Sequence, residues 1–210
     1  MTAGPTLGII ILAAGSSSRM GQAKQLLPLG NKNLLSHTID EAKMVEDALV
    51  LVILGGNYEA IAAQMPDSDT RMVHHQNWQQ GMGSSISKGM EALMVEQPQL
   101  EMVILAVCDQ PYLTADLLRR LVAKRHAAKK NIVASAYKET LGTPVLFSKQ
   151  YFSDLAALQG KEGAKVLLQK YENDVASVPF ENGGLDIDTP EDYNRLISKT
   201  NDKGFLQPDT

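Results

Sequence analysis

The sequence predicts an α/β fold with a mostly parallel sheet, and two observations support this. Short, nearly continuous apolar runs recur along the chain, and such runs are typical of strands that are buried on both faces of a parallel sheet. Segments with helical spacing of apolar residues lie between these runs. Alternation of this kind is expected when parallel strands are connected by crossover helices.

The predicted elements follow in order along the chain. Strands are expected at 7–13, 48–54, 102–107 and 132–136, and helices between them at 34–45, 86–94 and 117–127. The later part predicts a strand at 143–147, a helix at 164–171 and a strand at 175–180. Pro190 is placed to open a last helix at 191–197, with Asp188 or Thr189 as its N-cap.

Length and composition predict one domain. The chain has 210 residues, 44% of them hydrophobic and 21% charged, which is enough apolar content for one substantial core. We expect that domain to span residues 1–199. Because the sequence becomes polar after Lys199, residues 200–210 are predicted to form a flexible tail.

Charge and cysteine content exclude several classes of protein. A formal net charge of −4 removes the broad attraction to polyanions that a nucleic-acid-binding protein carries. The apolar run 7–14 is too short to cross a bilayer and has no basic segment before it, so neither a membrane span nor a signal peptide is predicted. The single cysteine, Cys108, cannot form an internal disulfide, and a cytoplasmic location is the default expectation.

A loop rich in glycine and serine follows the first predicted strand, where open α/β sheets bind ligands. Its glycine permits close approach of the backbone, its serines add donors, and its arginine and lysine bring positive charge to phosphate oxygens. The loop has neither the Walker A pattern nor G-x-G-x-x-G spacing. The alternative is a polar turn with solvated charges. The nucleotide-binding residues predicted here are Ala13, Ala14, Gly15, Ser16, Ser18, Arg19 and Lys24.

Carboxylates are predicted at the same edge of the sheet. Asp109 follows the apolar strand 102–107, while Asp186 and Asp188 alternate along a segment that would point both the same way if it is extended. Mg²⁺ prefers one or two carboxylates together with phosphate oxygens and water. Alternatively, Asp109 is a turn residue before Pro111, and Asp188 is a helix N-cap.

The loop carries a family resemblance. Its pattern is Leu12-Ala-Ala-Gly-x-Ser-x-Arg-Met-Gly-x-x-Lys24 followed by Leu26-Leu-Pro-Leu29, which resembles the signature of the MobA-like nucleotidyltransferases. The similarity covers roughly residues 7–198. Three further segments, 81–87, 108–111 and 186–192, resemble the molybdenum cofactor cytidylyltransferase branch. The resemblance implies a three-layer, Rossmann-like nucleotidyltransferase fold.

The resemblance also implies an activity. It is the magnesium-dependent transfer of CMP from CTP to molybdopterin, the organic part of the molybdenum cofactor, with release of pyrophosphate. Arg19 and Lys24 would hold the triphosphate, and Asp109 and Asp188 would hold Mg²⁺, with Asp188 favoured over Asp186. A molybdenum hydroxylase is a possible recipient of the product. Guanylyl or other nucleotidyl transfer, to molybdopterin or a sugar phosphate, is the closest alternative, and a noncatalytic cofactor-binding chaperone is another.

Recognition of the base is predicted at two further glycine-containing segments. Gly55 ends the second predicted strand, and Gly81, Ser84 and Ser85 belong to a second loop of small residues. An ordinary turn at Gly55 and helix capping by the serines are the structural alternatives.

The acceptor side departs from the family pattern. Thr143 stands where related cytidylyltransferases commonly have histidine, and Lys165 replaces an arginine. His37, His74, His75 and His126 show no metal-ligand spacing and are expected to be structural or solvated, and Cys108 is expected to be a small buried residue.

Overall fold

A central seven-stranded sheet dominates a computed structural model that describes residues 5–65 and 70–203. The strand order is β5-β4-β1-β6-β8-β7-β9, and β8 alone runs antiparallel to its neighbours. This confirms the predicted α/β fold with a mostly parallel sheet. The strands are β1 Leu7–Ala13, β4 Ala48–Leu54, β5 Arg71–His74, β6 Met102–Val107, β7 Ile132–Tyr137, β8 Thr140–Ser148 and β9 Val175–Pro179, and a separate hairpin is formed by β2 Pro28–Leu29 and β3 Lys32–Asn33.

Helices cover both faces of the sheet. The side chains of β1 alternate, so that Ile9 and Ile11 pack under α1 and α4, while Ile10 and Leu12 pack under α3, α5 and α6. All four of these side chains are almost completely buried, and each buried aliphatic side chain stabilises the fold by roughly 1.5–3 kcal/mol. The helices are α1 Leu34–Lys43, α2 Tyr58–Ala62, α3 Met82–Glu96, α4 Ala115–Ala128, α5 Phe152–Ala156, α6 Lys165–Lys170 and α7 Pro190–Lys203.

The structure adds elements that the sequence did not predict. These are the hairpin β2–β3, the short helices α2 and α5, and the edge strand β5, all of which are too short to show a clear period. Strand β8 begins at Thr140 rather than at residue 143. Its pairing with β7 has a bulge between Ala134 and Ser135, where the Ser135 hydroxyl donates to the Pro144 carbonyl at 2.8 Å.

Helix α7 is also longer than expected. It continues to Lys203, into the segment 200–210 that was predicted as a tail, and residues 204–210 lie outside the described residues. None of the helices in the described part of the chain combines the length and apolar character needed to cross a bilayer.

Three segments meet at the carboxyl edge of the neighbouring strands β1 and β6. They are the loop after β1, the turn after β6, and the stretch that leads from β9 to α7. A small apolar cluster holds the first and third of these together by packing Met20, Leu27 and Leu29 against Ile187 and Leu196. The fold therefore fixes the predicted phosphate loop beside the predicted acidic segment.

Candidate active site

The loop after β1 is organised by a buried glutamine. Gln25 is only 1% exposed, and its Nε2 donates to the carbonyls of Ala13 at 2.8 Å and Gly15 at 3.2 Å. The Ser17 hydroxyl donates to Gln25 Oε1 at 3.2 Å and accepts from the backbone N–H of Lys24 at 3.0 Å. Neither Gln25 nor Ser17 was among the predicted site residues, although Ser17 is the serine specified in the motif quoted above.

This loop forms one wall of a pocket of about 330 Å³. The first turn of α3 and the end of β6 form the other walls, so the pocket lies at the carboxyl edge of the sheet, as expected for an open α/β fold. Trp78, Gln79 and Met82, which were not predicted, also line it. Eight predicted residues line the pocket: Ala13, Ala14, Gly15, Ser16, Lys24, Gly81, Ser85 and Asp109.

Four predicted charged residues meet at the edge of this pocket. Lys24 Nζ donates to Asp109 Oδ2 at 2.5 Å and to Asp188 Oδ1 at 3.0 Å. Arg19 Nη2 donates to the other oxygen of Asp188, Oδ2, at 2.9 Å. The Lys24 side chain is 13% exposed and that of Asp109 is 20% exposed, whereas Arg19 is largely exposed. The Lys24 contacts are therefore the better shielded part of this network.

The charges shift the pKa values of these groups. Burial lowers the pKa of Lys24, but Asp109 and Asp188 more than offset this, and the pKa lies well above its usual value. Burial opposes ionisation of Asp188, yet hydrogen bonds and charge from Lys24 and Arg19 hold its pKa below the usual range. Desolvation and the neighbouring charges of Asp109 and Asp188 raise the pKa of Asp186 to about 6. The site therefore has more negative charge than one ammonium group neutralises.

The two carboxylates that share Lys24 are a suitable donor set for a divalent cation. Asp109 and Asp188 already converge on one cationic atom, the Nζ of Lys24. Among the described residues, no cluster of three or more histidine, cysteine, aspartate or glutamate side chains is arranged to hold a metal by itself. Mg²⁺ does not need such a cluster, because one or two carboxylates with phosphate oxygens and water satisfy it.

The acidic segment is held in place by hydrogen bonds between its backbone and the turn after β6. The N–H of Ile187 donates to the Asp109 carbonyl at 3.0 Å, and Gln110 Nε2 donates to the Gly183 carbonyl at 2.7 Å. Thr189 Oγ1 accepts from the N–H of Asp192 at 3.2 Å, so Thr189 caps α7. Asp188 is thus free of the capping role that was its alternative explanation.

Six predicted residues do not line the pocket: Arg19, Asp186 and Asp188 belong to the charged group beside it, and Ser18, Gly55 and Ser84 do not. Ser18 is exposed on the loop. A Cβ at Gly55 would overlap the Ala14 carbonyl and lie 2.7 Å from Trp78 Cγ, so glycine is required there for the packing of Trp78. The Ser84 hydroxyl donates to the Gly81 carbonyl at 2.7 Å and is paired with His75 Nε2 at 2.9 Å, as expected for a residue that secures the start of α3.

Other candidate groups have structural surroundings. His37 is paired with the Leu113 carbonyl at 3.1 Å, and His74 stacks on Tyr58 with ring centroids 4.2 Å apart. Cys108 is buried beside Asp109, and burial raises the pKa of its thiol to about 12. A thiol that remains protonated at neutral pH is a poor nucleophile.

Comparison with known proteins establishes the family. Residues 9–175 match the MobA-like NTP transferase domain. The chain belongs to the MobA-like NTP transferase family. It is accordingly a nucleotidyltransferase with a nucleoside triphosphate substrate, which confirms the family predicted from the loop and the general class of reaction.

Curated relatives match over nearly their whole length. Purine catabolism protein PucB of Bacillus subtilis is 33% identical, over 91% of this chain and 96% of that protein. Molybdenum cofactor cytidylyltransferase of Escherichia coli is 30% identical, over 88% of this chain and 92% of that protein. The two identities are too close for the predicted cytidylyltransferase branch to be singled out.

A solved structure shows the same architecture. Rv0371c of Mycobacterium tuberculosis superposes with a TM-score of 0.81 at 30% identity, covering 94% of this chain and all of that chain. A manganese complex of Rv0371c superposes with a TM-score of 0.76 at 28% identity, over 92% of this chain and 98% of that chain.

Proposed function

We propose that this nucleotidyltransferase transfers CMP from CTP to molybdopterin, using Mg²⁺ and releasing pyrophosphate. The observation that carries the proposal is the shared contact of Asp109 and Asp188 with Lys24 beside the pocket after β1. It joins a cation site to a loop suited to phosphates. The likeness to the Escherichia coli cytidylyltransferase supports the choice of CTP and molybdopterin.

The triphosphate is bound by the loop and its two basic residues. Ala14, Gly15 and Ser16 line the pocket with backbone that a phosphate can approach closely, since a Cβ at Gly15 would meet no atom within 4 Å. Lys24 contributes a shielded positive charge, and Arg19 contributes an exposed one at the pocket edge. Backbone amides with fixed cations form an effective site for phosphate oxygens.

Asp109 and Asp188 would hold the magnesium ion. Bound there, Mg²⁺ supplies positive charge that neutralises the phosphates and favours attack at the α-phosphorus. The manganese complex of Rv0371c supports a divalent cation in this fold. To bind both cation and triphosphate, Lys24 turns from the carboxylates toward the phosphates, which replaces one set of ionic contacts with another.

The reaction depends on positioning of the two substrates rather than on proton transfer by the protein. A phosphate monoester oxygen of the acceptor is already ionised near neutral pH, so it attacks the α-phosphorus without a general base. A new P–O bond forms to the acceptor, and the bond to the pyrophosphate oxygen breaks. Lys24 and Arg19 stabilise the negative charge on the departing pyrophosphate, and Asp109 and Asp188 would hold the cation that offsets the remaining negative charge.

The test is magnesium-dependent pyrophosphate release from CTP, GTP, ATP and UTP, each with molybdenum-loaded and molybdenum-free molybdopterin. We expect release with CTP and molybdopterin only. Release with GTP would replace the proposal by guanylyl transfer, and release with a sugar phosphate instead of molybdopterin would change the acceptor.

A parallel binding measurement separates the enzyme from a chaperone. The proposal expects CTP binding that depends on Mg²⁺ and on Asp109. Tight binding of molybdopterin without pyrophosphate release from any triphosphate would favour a carrier that delivers the cofactor to a molybdenum hydroxylase. The Asp109→Asn variant is the negative control in both measurements.

A further inference from the structure

Gln25 lies beneath the phosphate loop with its side-chain amide fully used. Both hydrogens of Nε2 are directed to loop carbonyls, those of Ala13 and Gly15, and Oε1 accepts the Ser17 hydroxyl. Loss of these partners would leave buried polar groups without hydrogen bonds, which is costly. The residue is therefore a rigid template for the loop.

The template determines which way the loop peptides face. In a trans peptide the N–H points opposite to the carbonyl, so the carbonyls of Ala13 and Gly15 that bind Gln25 turn the N–H groups of Ala14 and Ser16 away from it. Ala14 and Ser16 both line the pocket. Neighbouring N–H groups that face outward from a loop favour binding of an anion.

The backbone of Ser17 has an unfavourable conformation that its side-chain contacts maintain. It has φ +54°, in the left-handed region that residues other than glycine, asparagine and aspartate seldom occupy. Its hydroxyl makes two of the contacts that hold it there, to Gln25 Oε1 and from the N–H of Lys24. The same serine thus links the glutamine to the backbone of the lysine that contacts Asp109 and Asp188.

We infer that Gln25 is a positioning residue for the nucleoside triphosphate, which acts by orienting the loop amides and, through Ser17, by placing Lys24. The three side-chain hydrogen bonds of Gln25 described above all go to the loop after β1. This inference rests on the proposed binding of the triphosphate in the loop. Removal of this one buried amide should therefore lower the affinity for the triphosphate and leave the affinity for the acceptor unchanged.

The test uses Gln25→Met, which preserves length and volume but removes all three hydrogen bonds, and Gln25→Glu, which removes the donors only. Gln97→Met is the matched control, because Gln97 Nε2 donates to the Pro5 carbonyl at 2.9 Å beyond the other end of β1. CTP binding with Mg²⁺ is measured by calorimetry, and the KM values for CTP and acceptor by pyrophosphate release.

We expect both Gln25 variants to weaken CTP binding about tenfold or more, the equivalent of about 1.4 kcal/mol. The KM for CTP should rise in parallel. The KM for molybdopterin should stay within about twofold of the wild-type value, because the lost hydrogen bonds hold the triphosphate loop. Gln97→Met should leave both unchanged. If Gln25→Met does not fold, Ser17→Ala, at a half-buried position, is expected to weaken CTP binding by a smaller factor.

The outcomes separate this inference from the function on which it rests. Wild-type protein that binds CTP, with unchanged affinity in folded Gln25→Met and Gln25→Glu, would overturn the role of Gln25 alone. Equal losses for CTP and acceptor would also overturn it, since they indicate general damage. Wild-type protein that binds none of the four triphosphates would overturn the proposed function and this inference together.

Discussion

Lys24 Nζ lies 2.5 Å from Asp109 Oδ2 and 3.0 Å from Asp188 Oδ1, so one ammonium group joins residues that are 85 and 164 positions away in sequence. Each of the three comes from a different segment at the carboxyl edge of the sheet. The two carboxylates would repel each other without a cation between them. The site therefore requires a positive charge there, from either lysine or metal.

Replacing Lys24 by methionine should make the stability of the protein depend on magnesium. The variant keeps most of the side-chain volume but leaves Asp109 and Asp188 without their shared ammonium, so the Tm without metal should fall. Mg²⁺ should then raise the Tm more than it does in the wild type, because it restores the missing charge. The measurement is thermal unfolding with Mg²⁺ and with a chelator.

The pKa of Lys24 sets the pH range of that experiment. Because the folded pKa lies above the usual value near 10.4, the stabilisation from Lys24 is fully present below about pH 10 and is lost only at higher pH. A comparison at pH 7–8 is thus free of lysine titration. Lys170→Met, on an exposed lysine paired with Asp154, is the control. An equal response to Mg²⁺ in both variants would contradict the shared-cation interpretation.

Asp109→Asn should abolish most turnover and leave the fold intact. The amide keeps the size of the side chain but removes a negative charge that faces Lys24 and would hold the metal, so we expect kcat to fall by about 10²–10³, the range for loss of one group that stabilises charge in the transition state. Asp116→Asn, at an exposed aspartate on α4, should keep normal activity. Near-normal kcat in Asp109→Asn would show that the reaction does not need the Asp109 carboxylate.

The sequence predicted the sheet, its main helices and the charged cluster because these depend on strong local signals. The buried strands are continuous apolar runs, and Lys24, Asp109 and Asp188 follow strands or precede a helix at positions where side chains meet in an α/β fold. Gln25 carried no such signal. A glutamine between a lysine and a leucine is a common surface pattern, and only the folded loop shows that its amide is buried.

The contacts of Gly55 and Ser84 could not be predicted from the sequence for the same reason. Their residue types suit contact with a ligand, but the packing of Trp78 and the pairing with His75 are tertiary contacts that no local pattern encodes. For Asp188 the sequence left metal binding and helix capping open. The structure separates them through Thr189, whose hydroxyl bonds the N–H of Asp192.

Asp186→Asn should stabilise the metal-free protein above pH 6. The pKa of Asp186 is about 6 in the folded protein against an ordinary value of 3.8, so the folded state binds more protons between these values and wild-type stability falls as pH rises through that window. Residue Asp186 is exposed as a whole although its carboxyl is partly desolvated beside Asp109 and Asp188, so solvent screening should keep the gain below about 1 kcal/mol. Chemical unfolding at pH 4 and pH 7.5 measures it, and an equal difference at both pH values would contradict it.

The effect of Mg²⁺ on Tm should distinguish Asp186 from Asp188 as the metal ligand. If Asp188 is the ligand, Asp188→Asn should lose most of the Mg²⁺-dependent rise in Tm, whereas Asp186→Asn should keep it. The reverse pattern would assign the metal to Asp186. Both variants are compared in the same buffer with Mg²⁺ and with chelator.

Gly81→Ala should destabilise the protein. Gly81 has φ +114°, and a Cβ there would lie 2.7 Å from the Cα of Lys161 and overlap the Gly160 carbonyl. The strain and the clash together should cost about 2–3 kcal/mol in the free energy of unfolding, as for other incompatible backbone conformations. Urea unfolding checks the value, and a loss below about 0.5 kcal/mol, typical of an ordinary surface change, would contradict it.

Gly15→Ala provides the opposite case, a glycine that the fold does not require. A Cβ at Gly15 would meet no atom within 4 Å, so the free energy of unfolding should change by less than about 0.5 kcal/mol. The added methyl would nevertheless stand at the pocket wall, where the triphosphate approaches the backbone, and CTP affinity should fall at least about tenfold. Calorimetric titration and urea unfolding of one preparation give both quantities. If stability is unchanged as expected, a loss of affinity would indicate blocked access to the loop, and an unchanged affinity would place the phosphates elsewhere in the pocket.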